Sequence, residues 1–251
     1  MSTLPNVRKS AGLISSQAGR SLRDLVLENP AAAPVFETFS LDYCCGGSQT
    51  LAEACQSANL SSEDVIARLE QCDPGIPQKD WRGEPLSDLA QYIVDKHHAF
   101  TRSEIARLQD LIAKVISVHG GNHPELSSVR MILESVAEEM RQHMWKEENI
   151  LFPHIARMEE AARIRRRPPQ SPFGTVQNPV AMMIMEHDAA GQAFQKMREI
   201  TSNYAVPQDG CASYRALYQA LPELAADLHQ HIHLENNILF PRAIELEGQW
   251  S

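Results

Sequence analysis

A histidine and a glutamate four residues apart share one face of a helix. This chain carries that pair twice: His143 with Glu147 in HMWKEENILFP, and His231 with Glu235 in HIHLENNILFP. Val129, Leu133, Val136, Met140, His143, Glu147 and Ile150 follow one another at spacings of four and three. Leu217, Leu221, Leu224, Leu228, His231, Glu235 and Ile238 repeat the series 88 residues later. The repeat is an internal duplication in which each half is a helix pair. A lone His-x-x-x-Glu is usually a surface ion pair. Two copies set in apolar stripes are different, because a buried carboxylate without a partner is costly. Imidazole and carboxylate together are ligands for a transition metal.

Each half also offers an upstream histidine. His187 lies in the stripe Val180, Met183, His187, Ala190, Phe194, and His97 in the stripe Leu89, Ile93, His97, Phe100, Leu108, Leu111. His97 is chosen over the adjacent His98 by stripe position and by its spacing to His187. The expected site is therefore His97, His143, Glu147, His187, His231 and Glu235. Four imidazoles and two carboxylates satisfy two metal ions, two histidines to each, with both glutamates bridging. An oxo or hydroxo bridge from solvent would complete the pair and leave room for an exogenous molecule. This donor set in a helical bundle favours iron or manganese. There is no C-x-x-C-H for haem, and no glutamate stands three residues before any of the ten histidines, as ferritin-like sites require. His119, His123, His154, His229 and His233 lie off the pattern and read as surface or supporting groups. Glu186, next to His187, reads as an exposed helical glutamate or as a relay lining the approach to the metals.

Four long helical segments must position these groups: 86–117, 127–152, one opening at NPVAMM, and 212–245. For the third, Asn178 is the expected N-cap and Pro179 the first helical residue. Pro153 and Pro241 should end or kink their helices just past the ligand layer, and Pro222 should kink or restart the fourth. Alternating β patterns are absent, so the fold class is all-α: a four-helix bundle preceded by a small helical domain. CDPGIPQKDWRGEP at 72–85 reads as the boundary. The expected organisation is a tail at 1–20, a small domain at 21–78 and the bundle at 84–251.

The net charge of −9 argues against a nucleic-acid binder, and RIRRR at 163–167 reads as a solvated connector. No stretch approaches a membrane span or a signal peptide. Five cysteines (44, 45, 55, 72, 211) are an odd number in a chain too large for a disulfide scaffold. A soluble cytoplasmic protein with free thiols is expected. Cys44 and Cys45 precede Gly46-Gly47 and the expected helix SQTLAEACQ. A nearby helix N-terminus would lower their pKa and favour thiol chemistry; small core fillers in a glycine turn are the other reading. Cys55, Cys72 and Cys211 read as structural.

With DYCCGGSQTL, HMWKEENILFP, MEHD and HIHLENNILFP on the page, the chain resembles the hemerythrin-like repair-of-iron-centres proteins of bacteria, from about Ser21 to Leu246. Oxygen-carrying hemerythrins use five histidines, one glutamate and one aspartate; four histidines and two glutamates are the pattern of the repair group. The resemblance implies that the six residues above hold two non-haem iron ions. It implies repair of iron–sulfur clusters damaged by nitrosative or oxidative stress, by iron donation, with damaged iron–sulfur proteins as partners. Nitric oxide reductase activity at the di-iron site, or binding or sensing of O2 or NO, are the alternatives. A homodimer is also open.

Overall fold

The computed structural model describes residues 17–72, 79–168 and 171–250. Among them the chain is helical, with one isolated β-bridge between Ser21 and Thr50 and no named strand. The chain divides into two compact units, Met1–Asp80 and Trp81–Ser251. The expected tail lies mostly outside the described residues, as does the centre of the expected boundary.

The first unit contains α1 (Leu22–Glu28), α2 (Ala32–Phe39), α3 (Leu51–Ser57) and α4 (Ser62–Glu70). Local chemistry starts each helix but α2. The Ser21 and Ser61 hydroxyls accept from the N–H groups of Asp24 and Asp64, and Thr50 forms a reciprocal capping box with Glu53. Phe36, Tyr43, Leu51, Cys55, Val65 and Ile66 form the core. Between α2 and α3 the DYCCGG loop folds around Asp42. Its Oδ1 accepts from the Cys44 and Cys45 N–H groups at 3.0 and 2.9 Å, and its Oδ2 from that of Gly46 at 2.9 Å. Gly47 is required because a Cβ there would stand 2.4 Å from the Tyr43 carbonyl oxygen.

The second unit is built from four rods. The first comprises α5 (Leu86–Tyr92), a π-helical stretch Ile93–His98 and α6 (Ala99–His119). The second comprises α7 (Glu125–Lys146), a π stretch Glu147–Leu151 and α8 (Phe152–Arg163). The third is α9 (Gln177–Ile200). The fourth comprises α10 (Ala212–Leu234), a π stretch Glu235–Leu239 and α11 (Phe240–Gly248). The first rod packs on the second and fourth, and the third on the second and fourth. Leu108, Ile112, Leu133, Val136, Leu217, Leu221 and Leu224 fill the core between them.

Three expectations change. Pro153 and Pro241 do not end their helices. Each lacks the N–H that would hold the next α turn, and a π turn precedes it, closed by Phe152 N–H on the Glu147 carbonyl and Phe240 N–H on that of Glu235. Pro222 lies inside an uninterrupted α10. Asn178 is not the cap of α9. The helix begins at Gln177, the Glu247 carboxylate accepts from the Val176 N–H at 3.0 Å, and the Asn178 amide donates to the Phe173 carbonyl. Glu159 does the same for α5, accepting from the Leu86 and Ser87 N–H groups at 2.6 and 2.9 Å. Glu159 and Glu247 are 88 residues apart, so the duplication extends to the caps: the end of each half's second rod anchors the start of its first.

Candidate metal centre

Two groups of donor atoms converge in the bundle. One comprises His98, His231, Glu147 and Glu235; the other comprises His143, His187, Glu147 and Glu235. All six side chains are buried. His98 and His231 bring their Nε2 atoms to 3.2 Å, and His143 and His187 theirs to 3.1 Å. Glu147 Oε2 lies 3.3 Å from His98 Nε2 and 3.2 Å from His143 Nε2. Glu235 divides its oxygens, Oε1 to His231 and Oε2 to His187, both at 3.0 Å. Each carboxylate therefore faces both imidazole pairs, as a bridge must.

His97 is a correction. Its stripe position assumed an unbroken α-helix, but the first rod widens into a π turn over Ile93–His98. In a π turn residues five apart stack, so Ile93 is followed on the core face by His98, then by Thr101, Ile105 and Leu108, all buried. His97 Nδ1 instead donates to Asp227 Oδ1 at 3.0 Å, and its ring stacks on His231 with centroids 5.9 Å apart. Phe100, placed in the stripe by the same assumption, is 36% exposed. Ile150 likewise leaves the core face after Glu147, where the π turn brings Leu151 and Phe152 inward. A signal for His98 existed: it precedes His187 by 89 residues, nearer the repeat of 88 than the 90 of His97.

The outer nitrogens fix which atoms point inward. His143 Nδ1 donates to Glu186 at 2.8 Å, and His98 Nδ1 to Glu148 at 2.6 Å. His187 Nδ1 donates to Asn236 Oδ1 at 3.0 Å. A carboxylate or amide oxygen can only accept, so these Nδ1 atoms carry the hydrogen and leave Nε2 as the inward lone pair. Imidazole nitrogens 3.1–3.2 Å apart between carboxylates need a cation there, a proton in the metal-free chain or a metal ion in its place. Adjacent ligands about 2.1 Å from one ion also stand about 3 Å apart. The Glu147 oxygens and Glu235 Oε2 are buried without a hydrogen-bond partner. The residues present fit a metal pair on each count.

Electrostatics agree. Burial opposes the charge on Glu235, yet His231 and His187 hold its pKa well below the usual carboxylate range. Burial also pulls His143 down, but Glu147 foremost, then Glu186, raise it to about 10. In the metal-free chain protons thus stand where cations would bind, and metal uptake must expel them.

Glu186 is not a free surface group. It spans His143 Nδ1 and the Lys146 ammonium, and the His143 hydrogen bond chiefly draws its pKa to about 2. Glu148 repeats the arrangement between His98 and Arg102. Glu148 and Asn236 were not legible as site residues, because both lie on the outer side of their helices. Glu186→Gln keeps the shape but loses the charge behind His143. It is expected to weaken metal retention about tenfold, measured by chelator competition, with Glu186→Asp recovering little because its carboxylate is a methylene shorter.

Other expectations fare less well. His119, His154 and His233 are buried rather than superficial. The Cys44 thiol has no lowered pKa: α3 begins only at Leu51, and the Cys45 hydrogen bond, with burial, raises Cys44 well above the usual thiol range. Its Sγ lies 3.9 Å from that of Cys45 and both thiols are free.

Comparison with known proteins adds to this picture. The hemerythrin HHE cation binding domain matches residues 89–243, and ScdA_N, a domain of unknown function, matches residues 18–73. The chain is 38% identical over 230 residues to the iron-sulfur cluster repair protein YtfE of Musicola paradisiaca (strain Ech703), covering 91% of this chain and 98% of that protein. It is 36% identical, with the same coverage, to proteins of the same name from Yersinia pseudotuberculosis serotype IB (strain PB1/+) and Yersinia pestis (strain Pestoides F). On these matches, and with the hemerythrin-like bundle behind its ScdA_N module, the chain belongs to the repair-of-iron-centres family of iron–sulfur cluster repair proteins.

Proposed function

We propose that this chain holds two non-haem iron ions between His98, His143, Glu147, His187, His231 and Glu235, and restores damaged iron–sulfur clusters by donating iron. The carrying observation is the convergence of four inward Nε2 atoms and two shared carboxylates in one buried layer. Bound iron supplies an exchangeable ion that cycles between ferrous and ferric states. The chain's own groups set how firmly it is kept. Glu147 and Glu235 offset two positive charges, while Glu148, Glu186 and Asn236 orient His98, His143 and His187 with Nε2 inward. Six side chains for two ions leave positions open to NO, O2 or a recipient's own ligands. In the other unit, Cys45 is the more accessible thiol of the pair and would serve docking or thiol exchange with the recipient. No helix of the described residues is long and apolar enough to cross a membrane.

The test is anaerobic recovery of a nitric-oxide-damaged [4Fe–4S] dehydratase. The iron-loaded chain should restore activity and lose iron in step. Recovery no better than with the metal-free chain would sink the proposal, and nitrous oxide measured in the same reaction would show turnover of NO instead.

A further inference from the structure

Far along the bundle from the iron cage, a second set of donor atoms comes together. His119 ends α6, His123 follows in the turn before α7, and Asp209 and Cys211 lie in the loop leading into α10. The 21 residues of α6 separate this cluster from His98 by about 30 Å along the helix. His119, His123 and Asp209 each offer a donor atom within 4.8 Å of the others. His123 Nε2 lies 2.9 and 3.1 Å from the two Asp209 oxygens.

The ordinary reading is a surface ion pair between His123 and Asp209, and it leaves two features unexplained. His119 is only 8% exposed, and its Nε2 has no hydrogen-bond partner. Cys211, the N-cap of α10, has its pKa drawn to about 7 by the Tyr214 N–H and then by a hydrogen bond with His119. Thiolate is therefore accessible at neutral pH next to His119, outside the group of three donors. His123 is held between two carboxylates, Nδ1 donating to Glu125 Oε1 at 3.2 Å and Nε2 to Asp209, so a cation would take the place of the Nε2 proton. Both rings also stand edge-on to buried Tyr214, with centroids 5.4 and 5.5 Å away. The imidazoles are oriented before any ligand arrives.

We propose that His119, His123 and Asp209 form a separate site for a zinc-class divalent cation. Two imidazoles and a carboxylate are a zinc ligand set that leaves the fourth tetrahedral position to water. The ion staples the turn between the first two rods to the loop entering the fourth, joining the two halves of the duplication at their far end. The site does not depend on the iron reading, since it shares no residue with it.

The experiment adds zinc to the iron-loaded full chain, removes excess by gel filtration, and measures zinc and iron together. Wild type should retain about one zinc per chain with its iron unchanged. The double variant His123→Ala, Asp209→Asn, altered at partly exposed positions, should keep its helical circular dichroism but retain less than about a fifth as much zinc. With cobalt as the probe, the visible d–d bands of a low-coordinate ion should appear in wild type and vanish in the double variant. Zinc gained only as iron is lost, zinc equal in wild type and double variant, or cobalt bands that survive the double variant would each overturn the proposal.

Discussion

Replacing His98 with alanine should lower the iron content of the reconstituted chain to about half or less, whereas His97→Ala should leave it close to wild type. The two histidines are neighbours in sequence and equally buried, so composition and burial do not separate them. Geometry does. His98 Nε2 faces both His231 and Glu147, and its Nδ1 is held by Glu148. His97 turns to Asp227, whose Oδ2 has no other partner. The stability effect should run the other way. His97→Ala strands a part-buried carboxylate and costs about 1–2 kcal/mol in the metal-free chain, read as a lower melting temperature. Metal analysis and thermal melts on the same two variants check both halves. Equal iron loss in the two, or loss in His97→Ala alone, would return the ligand to His97.

Glu147→Ala and Glu235→Ala should each remove nearly all iron, to below about a tenth of wild type. A histidine belongs to one donor group, but each glutamate belongs to both. With two ions bound, losing one glutamate would take an oxygen from each and leave their mutual repulsion opposed by a single carboxylate. Glu147 also anchors His98 and His143, the two histidines of its own half, while each imidazole pair joins one half to the other. The comparison of metal content between His187→Ala and Glu235→Ala checks this directly. A glutamate variant that keeps one iron as well as a histidine variant does would mean that the carboxylates are terminal rather than shared.

What could be read before the fold was known followed from α-periodicity. His143, Glu147, His187, His231 and Glu235 sit where a regular helix puts them, because α7, α9 and α10 are uninterrupted up to the ligands. His98 escaped because a π turn adds one residue ahead of it, and no proline marks that turn as Pro153 and Pro241 mark the other two. Glu148 and Asn236 escaped for a different reason. They act from the outside of the helix, on the far nitrogen of a ligand, where a carboxylate looks like any solvated residue. The caps Glu159 and Glu247 were within reach through the repeat of 88 residues, but their acceptor role requires knowing which rods lie side by side.

The central claim is that one buried layer holds a metal pair. Native mass spectrometry of the chain reconstituted anaerobically with ferrous iron, joined to Mössbauer spectroscopy after oxidation, measures it most directly. The account predicts a dominant species with two irons, coupled through a bridge and absent from Glu147→Ala. A wild-type chain that saturates at one iron, or that binds two irons with no magnetic coupling between them, would contradict it.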